Sequence, residues 1–119
     1  MWIGADHVHC RMPVDDGKFE EYTYNFYVDD VFQGRAPGRI VDEGATLTEG
    51  NETSCRIAQA IAWYGPEEWA APRDGRLVAR EQRNLDITRT ATATLIDVTS
   101  ELTATDWSFT LGPTRHAYF

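Results

Sequence analysis

Lysine is almost missing from this 119-residue chain. Of its 11 basic residues only Lys18 is a lysine, and the 19 acidic residues outnumber them to give a net charge of −8. The arginines are scattered, so the sequence has no positive stripe of the kind that holds a phosphate backbone, and nucleic acid is excluded as a partner. Cysteine is scarce too. Cys10 and Cys55 cannot build a disulfide scaffold, and two reduced thiols in a cytoplasmic protein are expected. No run approaches the ~20 apolar residues of a membrane span, and no charged-then-apolar signal peptide opens the chain, so no membrane association is expected. The G-x-S-x-G elbow, the glycine-rich phosphate loop, the G-x-G-x-x-G fingerprint and the C-x-x-C pair are all missing, which removes the chemistries those motifs support. Asn51-Glu52-Thr53 matches a glycosylation sequon but reads as a turn.

Aromatic residues are plentiful: four Trp, five Tyr and five Phe, within a chain that is 42% hydrophobic. That is ample for one core at this length, and residues 1–119 are expected to form a single domain. The dominant period is two. In Phe19–Val28, Tyr22, Tyr24, Phe26 and Val28 share one face while Thr23, Asn25 and Tyr27 share the other, as in a half-buried strand. Asp29-Asp30 ends it, and Gly34, Pro37 and Gly38 punctuate a loop before short strands at Arg39–Val41 and Ala45–Glu49. Thr53–Tyr64 mixes strand alternation at Cys55, Ile57, Ile61 and Trp63 with helix-favouring alanines; its short span between Gly-containing breaks, without a helix cap, favours strand. Pro66–Gly75 reads as a connection with one helical turn at Pro66–Ala70. Leu77–Arg83, Asp86–Val98 and Leu102–Leu111 read as further strands, and Asp74-Gly75 as a turn. Short strands separated by turn signals specify an all-β fold, an antiparallel β-sandwich with at most one short helical turn. Thr114–Phe119 reads as a strand beginning. Its aromatic ending fits pairing in a homo-oligomer or a piece of a longer protein.

The most chemically loaded stretch is Asp6-His7-Val8-His9-Cys10-Arg11. On a strand His7 and His9 point to the same side, about 6–7 Å apart. Two imidazoles at that spacing can share a divalent metal, but zinc sites need three or four ligands, so a metal-free, hydrogen-bonded pair is favoured and no cofactor is expected. His116 can join the pair only through the fold. The acid pairs Asp15-Asp16, Asp29-Asp30 and Glu67-Glu68 sit beside turns as solvated carboxylates, because neighbours on a strand face opposite ways. Aromatic rings beside polar groups are the make-up of a sugar-binding face, and Tyr24, Asn25, Tyr27 and Trp63 suit one, although an aromatic stripe at period two also builds a core.

The ordered motifs resemble a bacterial family of β-proteins, the PmoA-like ("methane oxygenase PmoA") family. Asp6-His7-Val8-His9-Cys10-Arg11 resembles its D-H-x-H-H-R signature, with Cys10 in place of the second consecutive histidine. Gly38–Val41 is similar to its G-x-I-V strand, Asp74-Gly75 through Glu81-Gln82-Arg83 to its D-G-x-x-x-x-x-E-x-R, Leu95–Val98 with Leu102–Ala104 to its following strand, and Leu111–His116 to its G-x-T-K-x-G step. The resemblance implies part of a galactose-mutarotase-like supersandwich with a carbohydrate-related role, His7, His9 and Arg11 as catalytic candidates, and His116 as a further ligand contact. In that reading the partner is a small molecule, a sugar. Two other classes stay open: a non-catalytic subunit or interaction module pairing through its terminal strand, and a small-molecule-binding β-barrel cyclase or carrier.

Overall fold

The computed structural model describes residues 4–28, 30–31, 33–67 and 75–113. Eight strands are found there: β1 (Val8–Pro13), β2 (Phe19–Asn25), β3 (Ala36–Pro37), β4 (Arg39–Gly50), β5 (Ser54–Tyr64), β6 (Leu77–Arg89), β7 (Thr94–Ala104) and β8 (Phe109–Leu111). They form two four-stranded sheets, a short one in the order β3-β2-β1-β8 and a long one in the order β4-β5-β6-β7. All pairings are antiparallel except β2 with β3. The all-β sandwich expected from the alternation is what forms.

The element boundaries differ from expectation in instructive ways. The strands expected at Arg39–Val41 and Ala45–Glu49 are one strand, β4, carried through register shifts between Asp42 and Gly44 and between Leu47 and Glu49. A bulge absorbs an extra residue without ending the pairing, and Glu43 and Thr48 are the residues left unpaired. Thr53–Tyr64 is a strand throughout its paired length, because β5 is held on both sides by β4 and β6 and its alanines pack in the sheet. The run expected at Asp86–Val98 is cut at Thr90–Ala93, where the Thr90 hydroxyl accepts from the Ala93 N–H (2.9 Å) and Thr90 N–H donates to the Ala93 carbonyl (2.8 Å). Leu102–Leu111 is likewise divided between β7 and β8, which belong to different sheets. The sequon is a turn: Asn51 Oδ1 accepts from the N–H groups of Thr53 and Ser54, both at 2.9 Å. A 3-10 turn lies at Asp15–Gly17, and Glu67 also takes 3-10 form. The turn expected at Pro66–Ala70 falls largely, and the strand expected at Thr114–Phe119 entirely, outside the described residues. Gly75 has φ +78°, and a Cβ there would collide with the Gly65 carbonyl, so only glycine fits this close crossing between β5 and β6.

The core lies between the short sheet and one end of the long one. Val8, Cys10 and Met12 of β1 and Tyr24 of β2 face Ile61 and Trp63 of β5 and Ala79 of β6, all of them buried. Tyr22, Tyr24, Phe26 and Trp63 form a chain of tilted ring contacts with centroids 6.3, 6.0 and 4.8 Å apart in that order, the spacing at which aromatic pairs attract. Both cysteines are free. Burial pushes the Cys10 thiol up from 9.0 to about 11, while the neighbouring Trp107 side chain pulls it partly back. Burial, reinforced by Cys10, pushes the Tyr24 hydroxyl up from 10.0 to about 12.

A polar plug closes the core where the short sheet ends. Glu81 Oε2 accepts from Trp63 Nε1 (2.9 Å), and Oε1 accepts from Arg83 Nε and Ser100 Oγ, each at 2.8 Å. The Glu81 side chain is fully buried and that of Arg83 is 10% exposed. Three donors on one carboxylate supply the charge-assisted bonds that a buried anion requires.

Two measurements check this core. Cys10 and Tyr24 have folded-state values above their unfolded ones, so their contribution to stability is complete below pH 9. It is lost as pH climbs from 9.0 to about 11 for Cys10 and from 10.0 to about 12 for Tyr24. The melting temperature should therefore fall across that alkaline range, with Cys10→Ala flattening its first part, and native protein should be alkylated at Cys55 but not at Cys10. Glu81→Ala strands the Arg83 guanidinium and should cost about 3–5 kcal/mol in urea unfolding, whereas Glu81→Leu combined with Arg83→Met should recover most of that loss.

Candidate functional site

Alternation along β1 sends Val8, Cys10 and Met12 into the core and leaves His9 and Arg11 on the outward face. The antiparallel register sets His9 opposite Thr23 and Arg11 opposite Glu21, and pairs His9 on its other side with Thr110 of β8. Cross-strand partners share a face, so these side chains meet. His9 Nδ1 lies 3.1 Å from Thr23 Oγ1, and His9 Nε2 lies 3.8 Å from Glu21 Oε2. Arg11 Nε is 3.4 Å from Glu21 Oε1. The Arg11 guanidinium also sits 3.9 Å above the Phe19 ring, and Phe19 remains 51% exposed. The result is a strip across two strands: Thr23, His9, Glu21, Arg11 and Phe19, with one carboxylate shared by two donors and an aromatic ring at its end.

His7 takes a different place. It precedes β1, its carbonyl accepts from the Gly112 N–H at 2.9 Å, and its ring lies so close under Gly112 that any Cβ there would clash. Its Nδ1 is buried without a hydrogen-bond partner. The adjacent Asp6 is 1% exposed; Arg35 donates to its carbonyl (3.0 Å) and stands 3.7 Å from its carboxylate. His7 is thus a packed residue and His9 a surface one, although they are two apart on an extended segment. Among the described residues no group of three or more His, Cys, Asp or Glu side chains could hold a metal.

The expected ligand contacts are distributed otherwise. Tyr24 and Trp63 are core residues, 0% and 2% exposed, so their rings present no face to a ligand. Asn25 is also fully buried and organises the turn after β2. Its Oδ1 accepts from the N–H of Tyr27 (2.8 Å) and Val28 (3.3 Å), and its Nδ2 donates to the carbonyls of Val28 (3.2 Å) and Asp30 (3.3 Å). Tyr27 is half-buried in that turn. His116 lies outside the described residues. Phe19, Glu21 and Thr23 take the surface positions that the aromatic stripe was expected to supply. The signal was present: Thr23 alternates with the core tyrosines, and the same face continues back to Glu21 and Phe19.

The family model of DUF6807, a family of unknown function, matches residues 1–119. The chain belongs to that family. No curated protein and no solved structure matches it. Among the described residues no helix is long and apolar enough to cross a membrane.

Glu21, His9 and Arg11 have exposures of 56, 40 and 58%, so their ion pairs are screened by water. Glu21→Ala and Arg11→Ala should each shift unfolding free energy by no more than about 1 kcal/mol, and a double-mutant cycle between them should give about 0.2–1 kcal/mol. Both substitutions can then be used to probe binding without loss of fold.

Proposed function

We propose that this protein is a carbohydrate-recognition β-sandwich that binds a neutral sugar on the outward face of β1 and β2. One observation carries the reading: Thr23, His9, Glu21 and Arg11 form a continuous strip of hydrogen-bonding groups that ends on the exposed Phe19 ring. Sugars are recognised by this combination, with a ring against pyranose C–H groups and donors and acceptors on the hydroxyls. Arg11 covers one face of Phe19, and the exposed part of the ring is the stacking surface. The imidazole and the guanidinium flank Glu21, so the strip offers both signs of partial charge to a neutral hydroxylated ligand.

Binding without turnover is the form the face supports. Glycoside hydrolysis ordinarily uses two carboxyl groups about 5–9.5 Å apart. On this strip Glu21 is the single carboxylate, and its partners are an imidazole and a guanidinium rather than a second acid. The resemblance of the ordered motifs to the PmoA-like family, with its carbohydrate-related role and mutarotase-like sandwich, supports the same ligand class.

Titration of the chain with a panel of neutral hexoses and short oligosaccharides, followed by backbone amide NMR, tests the proposal. At least one sugar should bind with a Kd of about 1 mM, equivalent to about 4 kcal/mol, and shift amides of β1 and β2. Phe19→Ala and Glu21→Gln should each weaken it about tenfold or more with unchanged melting temperature. Absence of binding across the panel, or full binding by Phe19→Ala, overturns it.

A further inference from the structure

The outward face of the short sheet is longer than one sugar ring. Antiparallel register arranges it in rows two residues apart: Pro13–Phe19, then Arg11–Glu21, then Thr110–His9–Thr23. Each row lies about 6.6–6.8 Å from the next, so Phe19 and Thr23 stand about 13–14 Å apart along β2. One pyranose covers about one row. A ring stacked on Phe19 therefore does not reach the hydroxyls of the third row.

Beyond that row the face closes. Two residues past Thr110, the space that a side chain on Gly112 would need is filled by the His7 ring, which is half-buried with its Nδ1 inside. The third row itself extends onto β8 through Thr110, which is exposed and whose hydroxyl makes no hydrogen bond among the described residues. On the other flank, the Thr23 hydroxyl is already 3.1 Å from His9 Nδ1. Thr110 thus offers a donor and an acceptor that no neighbour uses.

An open sheet face gives a single sugar few contacts, while association always costs translational and rotational freedom. A ligand that spans several rows meets that cost once and gains contacts at each row. Glu21 stands in the middle row of a chain carrying −8, which disfavours uronates and other acidic sugars.

We infer that the ligand is a linear neutral oligosaccharide of about three units laid along β1 and β2, one unit per row, a proposal that rests on the sugar reading of this face. The first unit stacks on Phe19, the second lies against Arg11 and Glu21, and the third is held by Thr110, His9 and Thr23. Thr110 is then the contact that sets the preferred ligand length.

Titration of the full chain with neutral gluco-, manno- and xylo-oligosaccharides of one to six units, followed by amide NMR, tests this. Within the series that binds, Kd should fall about threefold or more with each unit up to the third and stay level beyond it. Thr110→Ala removes an exposed side chain. It should weaken the trisaccharide about fivefold, the effect of one hydrogen bond, with the monosaccharide affinity and the melting temperature unchanged. Phe19→Ala should weaken both ligands. A monosaccharide that binds as tightly as its trisaccharide overturns the inference and leaves the sugar site standing, as does a trisaccharide indifferent to Thr110→Ala. Absence of binding at every length overturns the sugar reading itself, and the preferred length falls with it.

Discussion

The Glu81 carboxylate is the point on which this sandwich turns. It is fully removed from water, and it survives there because Trp63, Arg83 and Ser100 donate to it from three different strands. Those bonds tie β5, β6 and β7 together across three neighbouring rows. They also fix the Trp63 indole, whose ring packs against Phe26 and so joins the long sheet to the short one. A buried ion pair is not in itself a strong source of stability. Its effect here is positional: the rows before Glu81 are core, and the rows after Arg83 are open.

Two surfaces of unlike character follow from that division. Toward the short sheet, the outward face of β1 and β2 is wet and carries Thr23, His9, Glu21 and Arg11 within hydrogen-bonding or ion-pairing reach of one another. Beyond the plug, the inward face of the long sheet carries two aliphatic rows, from Leu47 across to Val98 and from Cys55 across to Ile96, with Arg89 at the far end. The first surface offers directional hydrogen-bonding groups, and the second offers aliphatic area. Because they lie on different sheets, either can be occupied without altering the other.

Much of this was legible along the chain. The tyrosines at positions 22 and 24 and Phe26 alternate with Thr23 and Asn25, and the structure buries Tyr24 and Phe26 and packs the half-buried Tyr22 against the core. His9 and Arg11 stand out as polar residues alternating with Val8 and Cys10, and they share the outward face. The same alternation misled where it met a local demand. Asn25 lies on the polar register of β2, yet its amide is consumed by four turn contacts, because the chain must reverse at Tyr27-Val28 and an Asn side chain satisfies the backbone there. Trp63 suits a ligand face by its alternation, yet its indole is claimed by a carboxylate 18 residues away.

By itself the sequence determined the quantities that depend on near neighbours: an all-β chain, the inward and outward sides of each strand, and the turn at Asn51. Period-two patterning and turn chemistry act over a few residues, so they are written locally. Only the tertiary structure decided what depends on pairing between distant segments. It decided that bulges weld two short segments into β4, that Glu21 stands between His9 and Arg11, that His7 is packed under Gly112 while His9 is exposed, and that the long sheet overruns its cover. Register and overhang are relations between strands many residues apart, and a one-dimensional pattern shows which face a side chain takes without showing what lies across from it.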